Sequence, residues 1–375
     1  MRILLSCIVA LGLTTAVQAQ DNPKAVEGGI RGTPNLKSIE AIAFGPNGLL
    51  IIGGGTQVVT VETGDTKEIK WTKNEISNID KLLADKLGAN VKDIEIRRVA
   101  VNPASKRAYV AVRSLKANQY VILTIDGDGK VDEFSLDNVK FSRYPLAVGD
   151  KAVSKITDLT WAGNRIVVAT QAGDTFGSRV FSINPTAKDG ITSVSTETYH
   201  VGHGKWETKA PIICIMPYEE DGKTKVVGSF TCTPIVKYSL DEMGPDAKIK
   251  GVSVIELGHG NTPKDMFPYE KGGKKYILIS AVRMEKMHKS NPVGPSQYWA
   301  SRVDYDILSE TKNVNEKALW RFNPKTGKAS VSETDRAIIA KDYFGVRFMA
   351  KLDGENALTL RDDKSGLQLR ILPLP

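Results

Sequence analysis

Residues 202–217 read GHGKWETKAPIICIMP, and residues 258–268 answer with GHGNTPKDMFP. Both stretches open on Gly-His-Gly. Each follows an alternating, strand-like run, YHV before the first and VSVIEL before the second. Each passes through a polar step containing lysine into an apolar strand. Each strand then meets a turn of the same make, PYEEDGK at 217–223 and PYEKGGK at 268–274. A supersecondary unit that recurs in this way marks a repeat architecture, in which single units cannot bury their apolar faces alone.

Outward from this pair, the chain is a succession of short strands punctuated by Gly, Asp, Asn and Pro. IEAIAFGP (39–46) leads to LLIIGGG (49–55) and QVVTVET (57–63). IRRVAVNP (96–103) aligns with IEAIAFGP without gaps and leads to three more strands, ending at VDEFSL (131–136). Further groups begin at ITDLTWAG (156–163), PIICIMPY (211–218), KDMFPY (264–269) and VRFMAKLDG (346–354). In the fifth group, ALWRFNP (318–324) and ASVSET (329–334) read as the outer strands, after a long excursion over 283–317. Six groups at a spacing of roughly 55 residues predict an all-β fold, a six-bladed β-propeller in one domain over 20–375, with seven blades as the alternative. The last group shows three strands, and a segment from 25–36 is expected to complete it. One helical insert is expected over 75–88, where Ile76, Ile79, Leu82, Leu83 and Leu87 fall at helical spacing before Gly88.

Residues 1–19, MRILLSCIVALGLTTAVQA, carry one basic residue, a short apolar run and small residues at the end. This is the pattern of a cleaved signal peptide, and it predicts a periplasmic or secreted chain. The Cys7 context leaves too little apolar sequence for a lipoprotein signal. No later stretch is long and apolar enough to span a bilayer. The net charge of +8 is spread along the chain, with no basic block interleaved with aromatics, so nucleic acid is not an expected partner. Beyond the leader, Cys214 and Cys232 fall in one expected hairpin, either as a disulfide or as two thiols.

AFGPNGLLIIGGG (43–55) resembles exported bacterial β-propellers of the NHL and YVTN type. HGKWETKAPI (203–212), TCTPIVKYSL (231–240) and PKDMFPYEKGGKKYILI (263–279) are similar to a group of secreted bacterial propeller proteins. The resemblance is sharpest across 200–282. It implies the fold and no residue-by-residue activity. Propellers of the NHL type are mainly interaction scaffolds, and some relatives are enzymes with a metal at the central channel.

In a propeller, the first strand of each blade lines the channel. The loops entering that strand share a face with the second-to-third-strand loops. That face is expected to gather both Gly-His-Gly loops, the 283–317 excursion and the helical insert, and insertions concentrated on one face favour a site there. His203, His259 and Glu207 are the candidate metal ligands, with His200 and Asp265 close by in sequence. Imidazole and carboxylate together suit Zn²⁺, Cu²⁺ or Fe²⁺ at the channel mouth. The other reading makes the histidines hydrogen-bonded staples between blades. Arg98, Asp158 and Asp265 fall at similar depth in the first strands, with Lys264 and Arg347 nearby in sequence; with Trp206 as a stacking surface they form a candidate pocket for a small anionic ligand. The alternative is a wet, charged channel lining. His288, in MEKMHKSNP, reads as a solvated loop residue.

Asp126-Gly-Asp128-Gly lacks the bidentate acid of a calcium loop and reads as a hairpin turn. Gly53–Gly55 precedes no helix, so it is not a phosphate loop. No HExxH, paired CxxC, CxxCH or GxSxG is present. The expectation is a binding or scaffold protein that holds a protein partner or small ligand on its insertion-bearing face. The alternative is a hydrolytic or redox propeller enzyme with a channel-mouth metal.

Overall fold

The computed structural model describes residues 29–149, 151–173, 176–187, 190–242, 244, 247–318 and 336–375. They form a six-bladed β-propeller. Blades are numbered here by the chain order of their innermost strands: Ala41–Phe44 (I), Ile94–Val101 (II), Lys155–Ala162 (III), Cys214–Glu220 (IV), Asn261–Lys271 (V) and Val346–Lys351 (VI). Each blade is an antiparallel meander whose strands carry apolar side chains on both faces. The core is accordingly divided into six main clusters, one at each blade interface. This is the packing that a ring of two-faced sheets requires.

The ring order departs from chain order. Blade I packs between II and III, and II packs between I and VI, so the circuit runs I–III–IV–V–VI–II and back to I. Residues 63–74 make this possible by running beneath blade II. Asp65 accepts hydrogen bonds from Ser105 Oγ (2.7 Å) and Tyr109 OH (3.0 Å), and Trp71 Nε1 donates to the Lys106 carbonyl (2.9 Å). The strap then delivers Glu75–Ile76 to the outer edge of blade VI, where it pairs with Leu369 and Arg370. Blade II follows, and Val139–Pro145 returns as the fourth strand of blade I. Two blades are therefore composites of distant segments.

This corrects the expected closure. Ile30–Gly32 pairs with the Val139–Pro145 strand of blade I and not with the last blade. The third strand of blade V is Tyr298–Asp304, inside the expected excursion. The outer strands expected at 318–324 and 329–334 fall almost wholly outside the described residues, as does the 1–19 leader; Ala337–Ile339 supplies the fourth strand. The insert at 75–88 divides into that two-residue strand and helix α1, Ile79–Lys86, which buries Ile79 and Leu83. No described helix is long and apolar enough to cross a membrane. The Asp126 turn is as read, with Asp126 Oδ1 accepting from the Asp128 and Lys130 amides.

Alternation of strand direction places both Gly-His-Gly loops, α1 and helix α2 (Glu285–Ser290) on one face, as expected.

Candidate functional site

The outer strand of blade III, Ile191–His200, ends in a tight turn, Val201–His203, and returns as Lys205–Glu207. Gly204 makes the turn with a φ of 62°, a left-handed conformation that glycine adopts without a Cβ clash. Thr198 pairs with Glu207 and His200 with Lys205, so His200 and Glu207 are diagonal neighbours on one side of the ribbon. His203 projects from the turn, four residues before Glu207. Local register alone thus gathers two imidazoles and a carboxylate. His200 Nδ1 lies 3.2 Å from Glu207 Oε2, and His203 Nδ1 lies 2.8 Å from Glu207 Oε1. One ligand atom from each of the three falls within 4.8 Å of the other two.

Blade IV supports this group from behind. Glu256 ends its outer strand, is 2% exposed, and stands 3.5 Å from His200 Nε2. It accepts hydrogen bonds from the Val201 and Gly202 amides at 2.5 and 3.1 Å. Burial pushes the Glu256 carboxyl above its usual range, against the pull of His200 and the two amides. Burial also acts upward on Glu207, but its bonds to His203 and His200 outweigh it and hold that carboxyl low. Glu256 faces Nε2 of His200, so the other nitrogen, Nδ1, is the one directed at Glu207.

The group opens on a cavity of about 150 Å³. Its far wall is the Phe230–Pro234 hairpin of blade IV, including Cys232. His259, of the second Gly-His-Gly loop, stands behind that wall with Nδ1 3.7 Å from Cys232 Sγ. Three of the chain's four histidines therefore gather around this place. Of the expected metal set, the structure joins His203 and Glu207, substitutes His200 for His259, and moves the group away from the channel. The cavity shares no lining residue with the channel pocket. Cys214 and Cys232 are thiols, not a disulfide. Burial raises the Cys214 thiol well above its usual range.

The channel residues form a second constellation. The innermost strands of blades II, III, V and VI are each interrupted by a bulge, at Ile96/Arg98, Ile156/Asp158, Pro263/Met266 and Val346/Phe348. Bulges re-aim side chains, which here are largely the charged ones. Asp158 accepts from the Ile215 amide of the next blade (2.8 Å), and Asp265 from the Met349 amide of the next blade (2.9 Å). Arg98 reaches past blade I to the Thr157 carbonyl at 2.9 Å. Desolvation raises both acids, Asp158 to about 6, while Arg98 opposes it. Desolvation likewise lowers Lys264.

Arg347 pairs with Asp362 (2.7 Å) beside Lys264, in a pocket of about 480 Å³ that also presents Asp80, Glu95 and Asp363. Carboxylates thus accompany the cations of the expected anion pocket. Trp206 is in neither channel pocket. It packs edge-on to Tyr199 on the return ribbon, with Lys250 over its ring.

No family model matches the chain, and no curated protein matches it. Solved structures show distant likeness. Drosophila plexin A in complex with semaphorin 1b is 8% identical, with 92% of this chain and 86% of that one covered, at a TM-score of 0.38. A putative oxidoreductase (glucose dehydrogenase) from Thermus thermophilus is 10% identical, with 92% and 98% covered, at 0.33. An exo-1,5-α-L-arabinanase from a bovine ruminal metagenomic library is 12% identical, with 74% and 92% covered, at 0.34.

Proposed function

We propose that this chain is an exported binding propeller whose binding centre is a transition-metal ion held by His200, His203 and Glu207. One observation carries the reading: three ligand atoms of suitable chemistry converge within 4.8 Å. Ligand atoms about 2.0–2.1 Å from a tetrahedral ion stand about 3.3 Å apart. Glu207 Oε1 stands 2.8 Å from His203 Nδ1 and Oε2 stands 3.2 Å from His200 Nδ1, distances near that spacing. Glu256 behind His200 matches the carboxylate–histidine–metal arrangement that fixes ring orientation in metal sites.

The test is elemental analysis of untagged protein, wild type beside His200→Ala/Glu207→Gln. Near-stoichiometric metal in the wild type and none in the variant is the expected result. Metal-free protein in both, after dialysis against zinc and then buffer, overturns the reading.

Export rests on the pattern of residues 1–19 and the resemblance to secreted propellers. Protein recovered from the periplasm or medium should begin after Ala19 on N-terminal sequencing. A cytoplasmic chain that retains Met1–Ala19 refutes export.

The enzyme reading uses the same centre. Two histidines and a glutamate leave a position for water, as in hydrolytic zinc sites. What takes the fourth position separates the two readings.

A further inference from the structure

The far wall of the cavity includes Cys232, whose backbone is held in an uncommon way. Cys232 has a φ of 67° and Thr233 a φ of 59°, two consecutive left-handed residues with neither a glycine. For a β-branched residue this conformation is an outlier, and it persists only where the surroundings over-determine it. Here they do. The Cys232 amide donates to the Asn261 carbonyl (2.7 Å), Thr233 Oγ1 to the Gly258 carbonyl (3.1 Å), and the Leu257 amide to the Thr233 carbonyl (3.1 Å). The second Gly-His-Gly loop therefore clamps the hairpin, which sets Cys232 into the lining of the His200–His203–Glu207 cavity.

We infer that Cys232 is the fourth ligand of the metal centre, and that the site takes a thiophilic ion of the Zn²⁺ class. This rests on the metal reading above and deepens it. Thiolate with imidazole selects borderline and soft ions over Mg²⁺ or Ca²⁺, which prefer oxygen sets. Cys232 lines the same cavity but lies outside the group of atoms within 4.8 Å, so its sulfur must move from His259 towards the three ligands to close the shell. As the sulfur–metal bond forms, the thiol S–H bond breaks. Its proton passes to His259 Nδ1, 3.7 Å from the sulfur, or to water. Four protein ligands leave no position for an attacking water, the mark of closed sites as against catalytic ones. The inference thus favours binding over hydrolysis.

Cobalt is the probe. Metal-free wild type, Cys232→Ser and Cys214→Ser are titrated with Co²⁺ and followed by absorption. Wild type and Cys214→Ser should show tetrahedral cobalt bands with a near-ultraviolet thiolate-to-cobalt charge-transfer band. Cys232→Ser should lose the charge-transfer band and bind at least about tenfold more weakly. Tight cobalt binding by the wild type without that band, unchanged in Cys232→Ser, overturns the cysteine assignment and leaves the metal reading standing. No cobalt binding by the wild type overturns both. A measurement needing no variant is alkylation of native wild type with and without Zn²⁺. Zinc should slow modification of Cys232, and an unchanged rate refutes ligation.

Discussion

Two clusters of confined charge occupy the same ring, and their polar atoms face different things. In the channel wall, Asp158 and Asp265 each point from one blade to a backbone amide of the next, Ile215 and Met349. Those contacts are obligations of the fold: a buried amide needs an acceptor, and an innermost strand has no further strand to supply one. At the outer part of blades III and IV, His200, His203 and Glu207 contact one another at the edge of a cavity, backed by Glu256. His203 directs its Nδ1 at the Glu207 carboxylate and not at a backbone group of the next blade. Both sets contain titratable residues with displaced pKa values, so displacement alone does not separate a staple from a site. What a side chain's polar atoms face does separate them.

The sharpest way to break this comparison is to delete a staple. Asp265→Ala leaves the Met349 amide without its acceptor and Lys264 without its neighbouring carboxylate. Denaturant unfolding should show a loss of about 3 kcal/mol or more, with metal stoichiometry unchanged. A loss under about 1 kcal/mol would mean that the channel acids are free for a ligand after all.

Next in size is the pH dependence of Asp158. Its folded pKa of about 6 lies above the unfolded value. The folded state therefore keeps a proton that the unfolded state has already released. Stability from this group is fully present below about pH 4 and falls as pH rises to 6, by roughly 3 kcal/mol at most. Asp158→Asn should flatten that segment of the pH–stability curve, measured by unfolding at fixed steps. An unaltered segment would place the acid in a wetter environment than its strand implies.

On the metal reading, the His200–His203–Glu207 cluster should respond to ligand where the staples do not. At a hundredfold excess of zinc over Kd, binding stabilises the folded chain by about 2.7 kcal/mol. Thermal unfolding of the wild type should shift upward accordingly, and His203→Ala/Glu207→Gln should not shift. An equal shift in both would place the ion elsewhere.

The fold was legible because two-faced strands and Gly/Asp turns repeat at one spacing; the Gly-His-Gly pair is less regular than it reads, since the second loop leads straight into Asn261–Lys271 while the first turns back into Lys205–Glu207 before blade IV begins at Cys214. The ring order was not legible. It depends on a strap whose anchor, Asp65 beneath Tyr109, is one ordinary acid in a polar stretch. Tyr298–Asp304 was missed because burial on both faces leaves it no alternation: Trp299, Ala300 and Ser301 are all buried in succession. At the site, His203 and Glu207 were readable from proximity in sequence. His200 needed the hairpin register that pairs 198–200 with 205–207, and Glu256 and Cys232 arrive from another blade with no local signal.

The smallest effect discriminates most finely. Both glycines around His203 looked equivalent in sequence, and they are not. Gly204 has a φ of 62° with open space where a Cβ would stand, so Gly204→Ala should cost about 1 kcal/mol of stability and leave metal affinity alone. Gly202 is outside the left-handed region, but an added Cβ falls 3.2 Å from Glu256 Oε2 and 3.7 Å from His200 Nε2. Gly202→Ala should scarcely change stability. By pushing Glu256 away from His200 Nε2, it should, on the metal reading, weaken zinc binding about tenfold. Competition titration against a chromophoric chelator reads this directly. If the two substitutions exchange effects, Glu256 holds the turn and not the metal, and the cluster joins the channel acids as a staple.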